Sequence, residues 1–186
     1  MIKYSMEFKP GTLISRLDFV RISSSFLARH SETETPKIVD IGCATGDTFG
    51  PRAINVDRMD IKRMKDMAKP HHGDIEIPNY VQADAEALPF KNKSFDVAVL
   101  SEILEHVNNP INALHEAHRV ANFIVICVPN EYGWSKDKKP FETNSGHLRQ
   151  FKGRDLVAMV RESGIEIIEY LDWQYAGWAY YIVIGG

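Results

Sequence analysis

An α/β fold built on a mostly parallel β-sheet is the architecture that the sequence predicts, and three observations support it. Short β-rich runs alternate with stretches of helical periodicity from Lys37 onward. The chain has 186 residues, and domains average roughly 150 residues, so we expect a single domain spanning residues 1–186. Hydrophobic residues make up 44% and charged residues 25%, as is usual for globular proteins. Strands that alternate with helices form βαβ units with right-handed crossovers.

The elements follow from these patterns. Apolar residues at helical spacing predict an amphipathic helix over Gly11–His30, which makes residues 1–35 a helical segment packed on the domain. The strands expected after it are Lys37–Ile41, Ala53–Val56, Tyr80–Gln82, Asp96–Leu100, Asn122–Val128, Ile165–Leu171 and Tyr180–Ile184. The expected helices are Ile61–Lys69, Pro110–Val120 and Gly153–Ser163.

Composition argues against several classes of protein. The longest strongly apolar run, Phe123–Val128, is far shorter than the ~20 residues of a membrane span, and the first residues are too polar for a signal peptide. Cys43 and Cys127 stand in apolar contexts and are interpreted as reduced thiols of a cytoplasmic protein. The net charge of −3 gives no global attraction for nucleic acid. We expect neither a membrane nor nucleic acid as a partner.

Residues suited to binding stand where the predicted strands end, and ligands of such sheets bind beyond the carboxyl ends of the strands. The first strand carries Asp40 and runs into Gly42, Ala44 and Gly46, small residues that allow the backbone to approach a ligand closely. Asp57 ends the second strand, where a carboxylate can accept two hydrogen bonds from neighbouring hydroxyls. Taken alone, each feature also fits an ordinary turn.

The next two strands add further candidates. Asp84 and Ala85 follow the third strand and offer a carboxylate acceptor and a backbone N–H donor. Ser101 and Glu102 follow the fourth strand, whose end faces the same edge of the sheet. The order of these four pieces along the chain is more specific than any one of them.

Together these pieces resemble the class I S-adenosylmethionine-dependent methyltransferases, and most of all the type 11 methyltransferase domains. The matching stretches are VDIGCATGD, INVD, QADAEALPFKNKSFDVAVLSEILEHV and GHLRQF. The resemblance implies a Rossmann-like sheet of seven strands with helices on both faces and an antiparallel last strand. It also implies S-adenosylmethionine as the cofactor.

The resemblance assigns a role to each candidate. It implies that the first loop surrounds the methionine part of the cofactor and that the later residues hold its ribose, its adenine and the region of the transferred methyl group. In that order, the assigned residues are Asp40, Gly42, Ala44 and Gly46 for the loop, Asp57 for the ribose, Asp84 and Ala85 for the adenine, and Ser101 with Glu102 for the methyl region.

The chain departs from the family pattern in two places. Ala44 stands where the usual loop has its middle glycine. Asp40 and Asp57 are separated by only 57 − 40 = 17 positions, which leaves little room for the usual helix between the first two strands. We expect a single turn or an open loop there.

Catalytic residues and metal ligands are less clearly indicated. His147 in GHLRQF is the candidate general base because an imidazole titrates near neutral pH, although it can equally fix the loop through its backbone contacts. Glu102 is a second catalytic candidate. On a helix, Glu102, Glu105 and His106 would share one face and, with His147, could hold a divalent ion. The same stretch also occurs in this family without metal, and we expect no bound metal.

Two segments are candidates for the acceptor side. Residues 129–146 form a long connection that is either an aromatic and basic lid or a solvated loop. The aromatic stretch Asp172–Tyr181 is either an acceptor surface or a homodimer contact. The residues considered are Tyr132, Trp134, Lys136, Lys138, Lys139 and Phe141 in the first segment and Trp173, Tyr175 and Trp178 in the second.

The expected function is methyl transfer to an oxygen or nitrogen of a small-molecule or saccharide-type acceptor. Two alternatives remain open: a non-catalytic methyltransferase-like binding subunit, favoured by the short crossover, and an RNA methyltransferase. The second would use a basic patch of Lys136, Lys138, Lys139, Arg149, Lys152 and Arg154. A nicotinamide-dependent dehydrogenase is disfavoured because the first loop lacks the full G-x-G-x-x-G pattern.

Overall fold

A computed structural model describes residues 35–44, 49–130, 146–175 and 178–186 of the chain. These residues form seven strands, three α-helices and one short 3₁₀ turn. The strands are β1 (Ile38–Ile41), β2 (Ala53–Asp57), β3 (Tyr80–Gln82), β4 (Phe95–Ser101), β5 (Ala121–Pro129), β6 (Ile167–Tyr175) and β7 (Trp178–Gly185). The helices are α1 (Ile61–His72), α2 (Pro110–Val120) and α3 (Gly153–Glu162), and the 3₁₀ turn is Gly50–Arg52.

The strands form one sheet in the order β3-β2-β1-β4-β5-β7-β6. The pairs from β3 across to β5 are parallel, and β7 runs antiparallel to both β5 and β6. The expected seven-stranded, mostly parallel sheet with an antiparallel last strand is confirmed. Because the chain moves outward from β1 in both directions, the carboxyl ends of β1 and β4 mark the switch point where ligands of such sheets bind.

Both faces of the central strands are buried. Val39 and Ile41 of β1 pack in one apolar cluster with Leu114 of α2 and Leu156 of α3. The alternate residues along the strand, such as Ile38, belong to a second cluster on the opposite face of the sheet. The central parallel strands are therefore mostly apolar on both faces, as is usual for strands that are covered on both sides.

The helix starts follow their capping residues closely. Asp60 caps α1 by accepting from the backbone N of Arg63 at 2.9 Å, and Asn109 caps α2 with Pro110 at its first position. Helix α1 continues past the expected end at Lys69, with Pro70 inside it, and stops only before Gly73 (φ 74°). None of the described helices combines the length and apolar composition that a membrane crossing needs.

The described part of the connection between β1 and β2 contains the 3₁₀ turn Gly50–Arg52. Residues 45–48 lie outside the described part of the chain, so the expected turn or open loop stays a prediction. Several expectations lie outside the described residues. These are the helix over 11–30, Gly46 in the first loop, the residues considered between 131 and 145, and the side chains of Trp173, Tyr175 and Trp178.

Candidate functional site

A cavity of about 270 Å³ lies at the carboxyl ends of β1 to β4, where the switch point predicts a ligand. Two groups of residues enclose it, and we name them for the strands that they follow. The β1–β3 wall consists of Ile41, Gly42, Ala44, Val56, Asp57, Arg58, Ala83, Asp84, Ala85 and Glu86. The β4 wall consists of the loop of residues 102–108, of which Glu102, Ile103, His106, Val107 and Asn108 line the cavity.

Gly42 brings the two walls together. Its backbone has φ 76°, a conformation that glycine adopts without steric cost. A Cβ at this position would lie 2.3 Å from Cδ1 of Ile103 in the β4 wall, so a side chain cannot be added without displacing that residue. The N–H groups of Gly42 and Cys43 both donate to the carbonyl of Val56, at 2.8 and 3.0 Å, and fix the loop on β2.

Ala44 occupies a position that suits glycine, since its φ is 45°. Its backbone N donates to Oδ2 of Asp57 at 3.2 Å, which ties the first loop to the end of β2. Ala44, which stands where the family pattern has a glycine, is therefore a strained residue of the cavity wall.

Asp57 connects three parts of the β1–β3 wall. Besides the contact with Ala44, its Oδ1 accepts from the backbone N of Met59 at 3.0 Å, and its own carbonyl accepts from Ala83 at 2.9 Å. Each carboxylate oxygen has two lone pairs, so a carboxylate that holds two backbone donors can still accept hydrogen bonds from neighbouring hydroxyls. Asp57 lines the cavity, and its role toward a cofactor ribose stays a prediction.

Asp84 and Ala85 also line the cavity. Oδ1 of Asp84 accepts from the backbone N of Glu86 at 2.9 Å, and its carbonyl accepts from Ala87 at 3.0 Å, which closes a tight turn. Ala85 is buried within this turn. The turn presents a carboxylate and apolar surface to the same side of the cavity.

Behind this turn, Arg119 and Glu116 of α2 hold the chain that leaves it. The backbone N of Leu88 donates to Oε2 of Glu116 at 2.7 Å, and Arg119 donates to the carbonyls of Leu88 and Phe90 at 3.0 and 2.7 Å. The side-chain hydrogen bond from Arg119 is the largest cause that lowers the pKa of Glu116. The anchor is a charge-assisted pair on a rigid helix.

The β4 wall lacks the helical geometry on which the alternative of a metal site depended. The run from Glu102 to His106 is a single turn rather than a helix, and Glu102 itself has φ 52°, outside helical geometry. The backbone N of His106 donates to the carbonyl of Ile103 at 2.8 Å, as in one isolated turn. Glu102 therefore lines the cavity while Glu105 is buried, and the two do not share a helix face.

His147 lies behind the cavity rather than among its lining residues. Its ring packs edge-on against His106, with 4.7 Å between ring centroids and an interplanar angle of 80°. His106 does line the cavity, and its Nδ1 lies 2.9 Å from the carbonyl of Gly146. Since a carbonyl only accepts, Nδ1 carries the proton. Burial is the main cause that lowers the pKa of His106.

These two histidines approach a third potential ligand. Among the described residues, ligand atoms of Glu105, His106 and His147 all lie within 4.8 Å of one another, and Glu102 is not part of the group. The structure therefore does not bring together all four of the residues that the sequence suggested as possible ligands. That the site binds no metal stays a prediction.

Besides His147, the predicted and described residues that do not line the cavity are Asp40 and Ser101. Asp40 lies within β1, 1% exposed, between Asn55 of β2 and Val99 of β4. Ser101 ends β4 opposite Cys127. Their assigned roles at the cofactor stay predictions.

Residues 146–149 make several contacts with the β4 wall. The backbone N of Leu148 donates to the carbonyl of Glu105 at 2.8 Å, the Gly146 carbonyl holds His106, and Arg149 donates to carbonyls of the turn. Arg149 entered the sequence analysis only as part of a basic patch. No local pattern marks such a role, since the partners are backbone atoms distant in sequence.

The charge of the cavity favours a cation. Among the described residues that line it, four carry carboxylates, and Arg58 carries a guanidinium. A concave site with an excess of one sign of charge raises the local concentration of the opposite sign. The carboxylates are those of Asp57, Asp84, Glu86 and Glu102.

Comparisons with known proteins agree with this geometry. Residues 39–122 match the protein family described as "Methyltransferase domain". The chain is 36% identical over 93 residues to the ubiquinone/menaquinone biosynthesis C-methyltransferase of Coxiella burnetii, an alignment that covers 48% of this chain and 37% of that protein. It is 29% identical over 126 residues to a ubiquinone biosynthesis O-methyltransferase of Ruegeria pomeroyi, covering 60% and 50%. The chain thus spans half or less of the length of these two relatives.

Among solved structures, the magnesium protoporphyrin IX methyltransferase of Synechocystis PCC 6803, with S-adenosylhomocysteine bound, has the same fold. The TM-score is 0.64 at 16% identity, over 90% of this chain and 81% of that one. The sheet order, the cavity at its switch point and the matched residues lead to one conclusion. Residues 39–122 match a methyltransferase domain, and the described residues have the fold of S-adenosylmethionine-dependent methyltransferases.

Proposed function

We propose that this chain binds S-adenosylmethionine in the cavity and transfers its methyl group to an oxygen or nitrogen atom of a small-molecule or saccharide-type acceptor. One observation carries the proposal. The residues after β1, β2 and β3 that the sequence assigns to cofactor binding and that can be described, apart from Asp40, line one cavity at the switch point of the sheet.

The residues of the cavity fit the cofactor. Asp57 offers lone pairs for the two ribose hydroxyls, and the turn at Asp84 and Ala85 offers a carboxylate beside apolar surface for the adenine. The excess of carboxylates suits a ligand that carries a sulfonium. When bound, the cofactor supplies a methyl group that is already activated by the positive charge of that sulfonium.

The chain's own contribution is alignment, exclusion of water and removal of a proton. An acceptor lone pair forms the new bond to carbon while the carbon–sulfur bond breaks toward sulfur, so the groups must be in line and desolvated. A hydroxyl or ammonium acceptor must also release a proton. We propose His147 as the group that takes it; its ring packs against that of His106, which lines the cavity.

The acceptor is proposed at the level of chemical class. The two relatives are named for a C-methyltransferase and an O-methyltransferase of quinone biosynthesis. Phenols and quinols are therefore included, with amines and saccharides, in the panel of acceptors to be tested with labelled S-adenosylmethionine, with and without Mg²⁺. RNA is included as the test of the basic patch.

The experiment is a calorimetric titration of the full chain with S-adenosylhomocysteine. The wild type is expected to bind, and Asp57→Ala to lose at least about tenfold in affinity, since it removes hydrogen bonds to a charged group worth about 1.5–3 kcal/mol. Asp57→Asn retains one backbone acceptor and serves as the better-folded variant. Asp66→Ala, on the exposed face of α1 and paired only with Lys62 at 2.8 Å in the described contacts, is the matched control.

The outcomes separate the candidate functions. No binding by the wild type would contradict the proposal. Binding without methyl transfer to any acceptor in the panel would favour the non-catalytic binding subunit, to which the short connection between β1 and β2 also points. Methyl transfer to RNA that falls steeply with salt would favour the RNA methyltransferase instead.

A further inference from the structure

We infer that Arg149 is a positioning residue for the cofactor cavity. Its side chain holds the β4 wall in its cavity-lining conformation through carbonyls that lie 41 to 45 residues away in sequence. The inference rests on the proposed function and adds a residue to its site. It starts from two facts about the β4 wall: this wall forms part of the cavity, and it is not a regular element of the fold.

The β4 wall adopts a conformation that its own sequence does not favour. It opens at Glu102, whose φ of 52° lies in the left-handed region that residues with a Cβ rarely adopt. It then makes one turn, closed by the N–H groups of His106 and Val107 on the carbonyl of Ile103 at 2.8 and 3.2 Å. A single turn is not stable in isolation, and strained residues persist only where surrounding contacts fix them.

Arg149 supplies such contacts at the end of the turn. Its Nη1 donates to the carbonyl of Leu104 at 2.8 Å and also to that of Val107, and its Nη2 donates to the carbonyl of Asn108 at 3.0 Å. The last carbonyls of a helical turn have no partner within it, and here the guanidinium of Arg149 provides donors for them. Val107 and Asn108 line the cavity, which places the contacts of Arg149 directly behind its surface.

The chemistry of these contacts needs arginine. A guanidinium presents five N–H donors in a fixed plane and can reach three carbonyls at once, whereas the lysine ammonium is a point charge on a flexible stem. The neighbours of Arg149 add two more links to the wall, from Leu148 N to the Glu105 carbonyl at 2.8 Å and from His106 to the Gly146 carbonyl at 2.9 Å. Residues 146–149 thus fasten the wall as a unit.

The test compares Arg149→Lys with Arg154→Lys in the full chain. Arg154 is a matched control because it lies on α3 with 81% of its side chain exposed and pairs with its neighbour Asp155 at 3.3 Å. Two quantities are measured: the dissociation constant of S-adenosylhomocysteine, by calorimetry, and the rate of amide hydrogen exchange along the chain, by mass spectrometry. A general loss of stability would speed exchange along the whole chain, whereas release of the β4 wall would speed it only in that segment.

We expect Arg149→Lys to raise the dissociation constant about tenfold or more, as the loss of hydrogen bonds from a charged donor predicts. Exchange should quicken in peptides that cover residues 102–109 and stay unchanged around Asp57. Arg154→Lys should match the wild type in both measurements. Arg149→Gln, which retains a planar donor, is the second variant and should show the same local change.

Three results would overturn the inference. They are a dissociation constant of Arg149→Lys within about twofold of the wild type, faster exchange spread evenly over the chain, and loss of the fold in both Arg149 variants. The proposed function fails in a different way, because it requires that the wild type bind S-adenosylhomocysteine at all. A wild type that does not bind contradicts both, whereas a wild type that binds with Arg149→Lys unchanged contradicts only the role of Arg149.

Discussion

The two walls of the cavity are held by different means. In the β1–β3 wall, the loops after adjacent strands bind one another directly: Ala44 to Asp57, and Gly42 to Val56. The β4 wall is a single turn held from outside, by the segment that carries Arg149. The first wall is therefore built from neighbours along parallel strands, and the second depends on a contact between parts of the chain that are distant in sequence.

Short sequence motifs can therefore be expected to predict one kind of cavity wall better than the other. A wall made by strand ends places the same residue types at the same points along the chain, because the strand fixes where each loop begins. A wall fastened through backbone carbonyls leaves no such trace, since any residue provides a carbonyl. Substitutions in one wall, in the other, or at the contact between them test this difference between the walls.

The largest expected effect lies at Gly42, where the walls touch. Gly42→Ala combines strain at φ 76° with a Cβ 2.3 Å from Ile103, so we expect it to destabilise the fold by about 2–5 kcal/mol in urea denaturation. Gly73→Ala is the matched control, because Gly73 has φ 74° but open space around its Cβ. Equal losses in the two variants would show that the walls do not press on each other at this point.

A smaller effect is expected where α2 holds the end of the β1–β3 wall. Glu116→Gln should cost about 1–3 kcal/mol at pH 7, because it weakens the hydrogen bonds with Arg119 and Leu88. Binding of S-adenosylhomocysteine should change little, since Glu116 does not line the cavity. Arg149→Lys should show the reverse pattern, with the larger loss in binding.

The same substitution has a defined pH dependence. The pKa of Glu116 is lowered in the folded state, so its contribution to stability is complete above the ordinary glutamate pKa of about 4.3 and is lost as the pH falls through the lowered value. The difference in free energy of unfolding between wild type and Glu116→Gln should therefore shrink below about pH 4. A difference that stays constant with pH would contradict the ion pair, and the exposed Glu162→Gln provides the control.

The smallest effect is expected at Ala44. Ala44→Gly relieves about 1–2 kcal/mol of strain at φ 45° but adds about 0.5–1 kcal/mol of entropy to the unfolded chain, so the net gain should be below about 1.5 kcal/mol. Thermal unfolding measures it. A marked loss of stability would mean that the alanine methyl group makes a contact that the β1–β3 wall needs.

The sequence predicted most of the fold because its strands are short, buried and separated by clear helix signals. The residues of β1 to β3 could be placed at the cavity for the same reason, as Asp57 and Asp84 show. The single turn over Glu102–His106 was not foreseen, since the left-handed conformation of Glu102 at its start is set by contacts with other strands and not by local pattern. Arg149 could not be assigned because its partners are carbonyls 41 to 45 residues away.

A crystal structure of the full chain grown with saturating S-adenosylhomocysteine would show where the cofactor product binds. We expect the ribose hydroxyls within hydrogen-bonding distance of the Asp57 carboxylate, the adenine beside Asp84 and Ala85, and the β4 wall on the other side of the ligand. A ligand bound elsewhere on the chain, or a cavity that stays empty in crystals with this fold, would contradict this expectation.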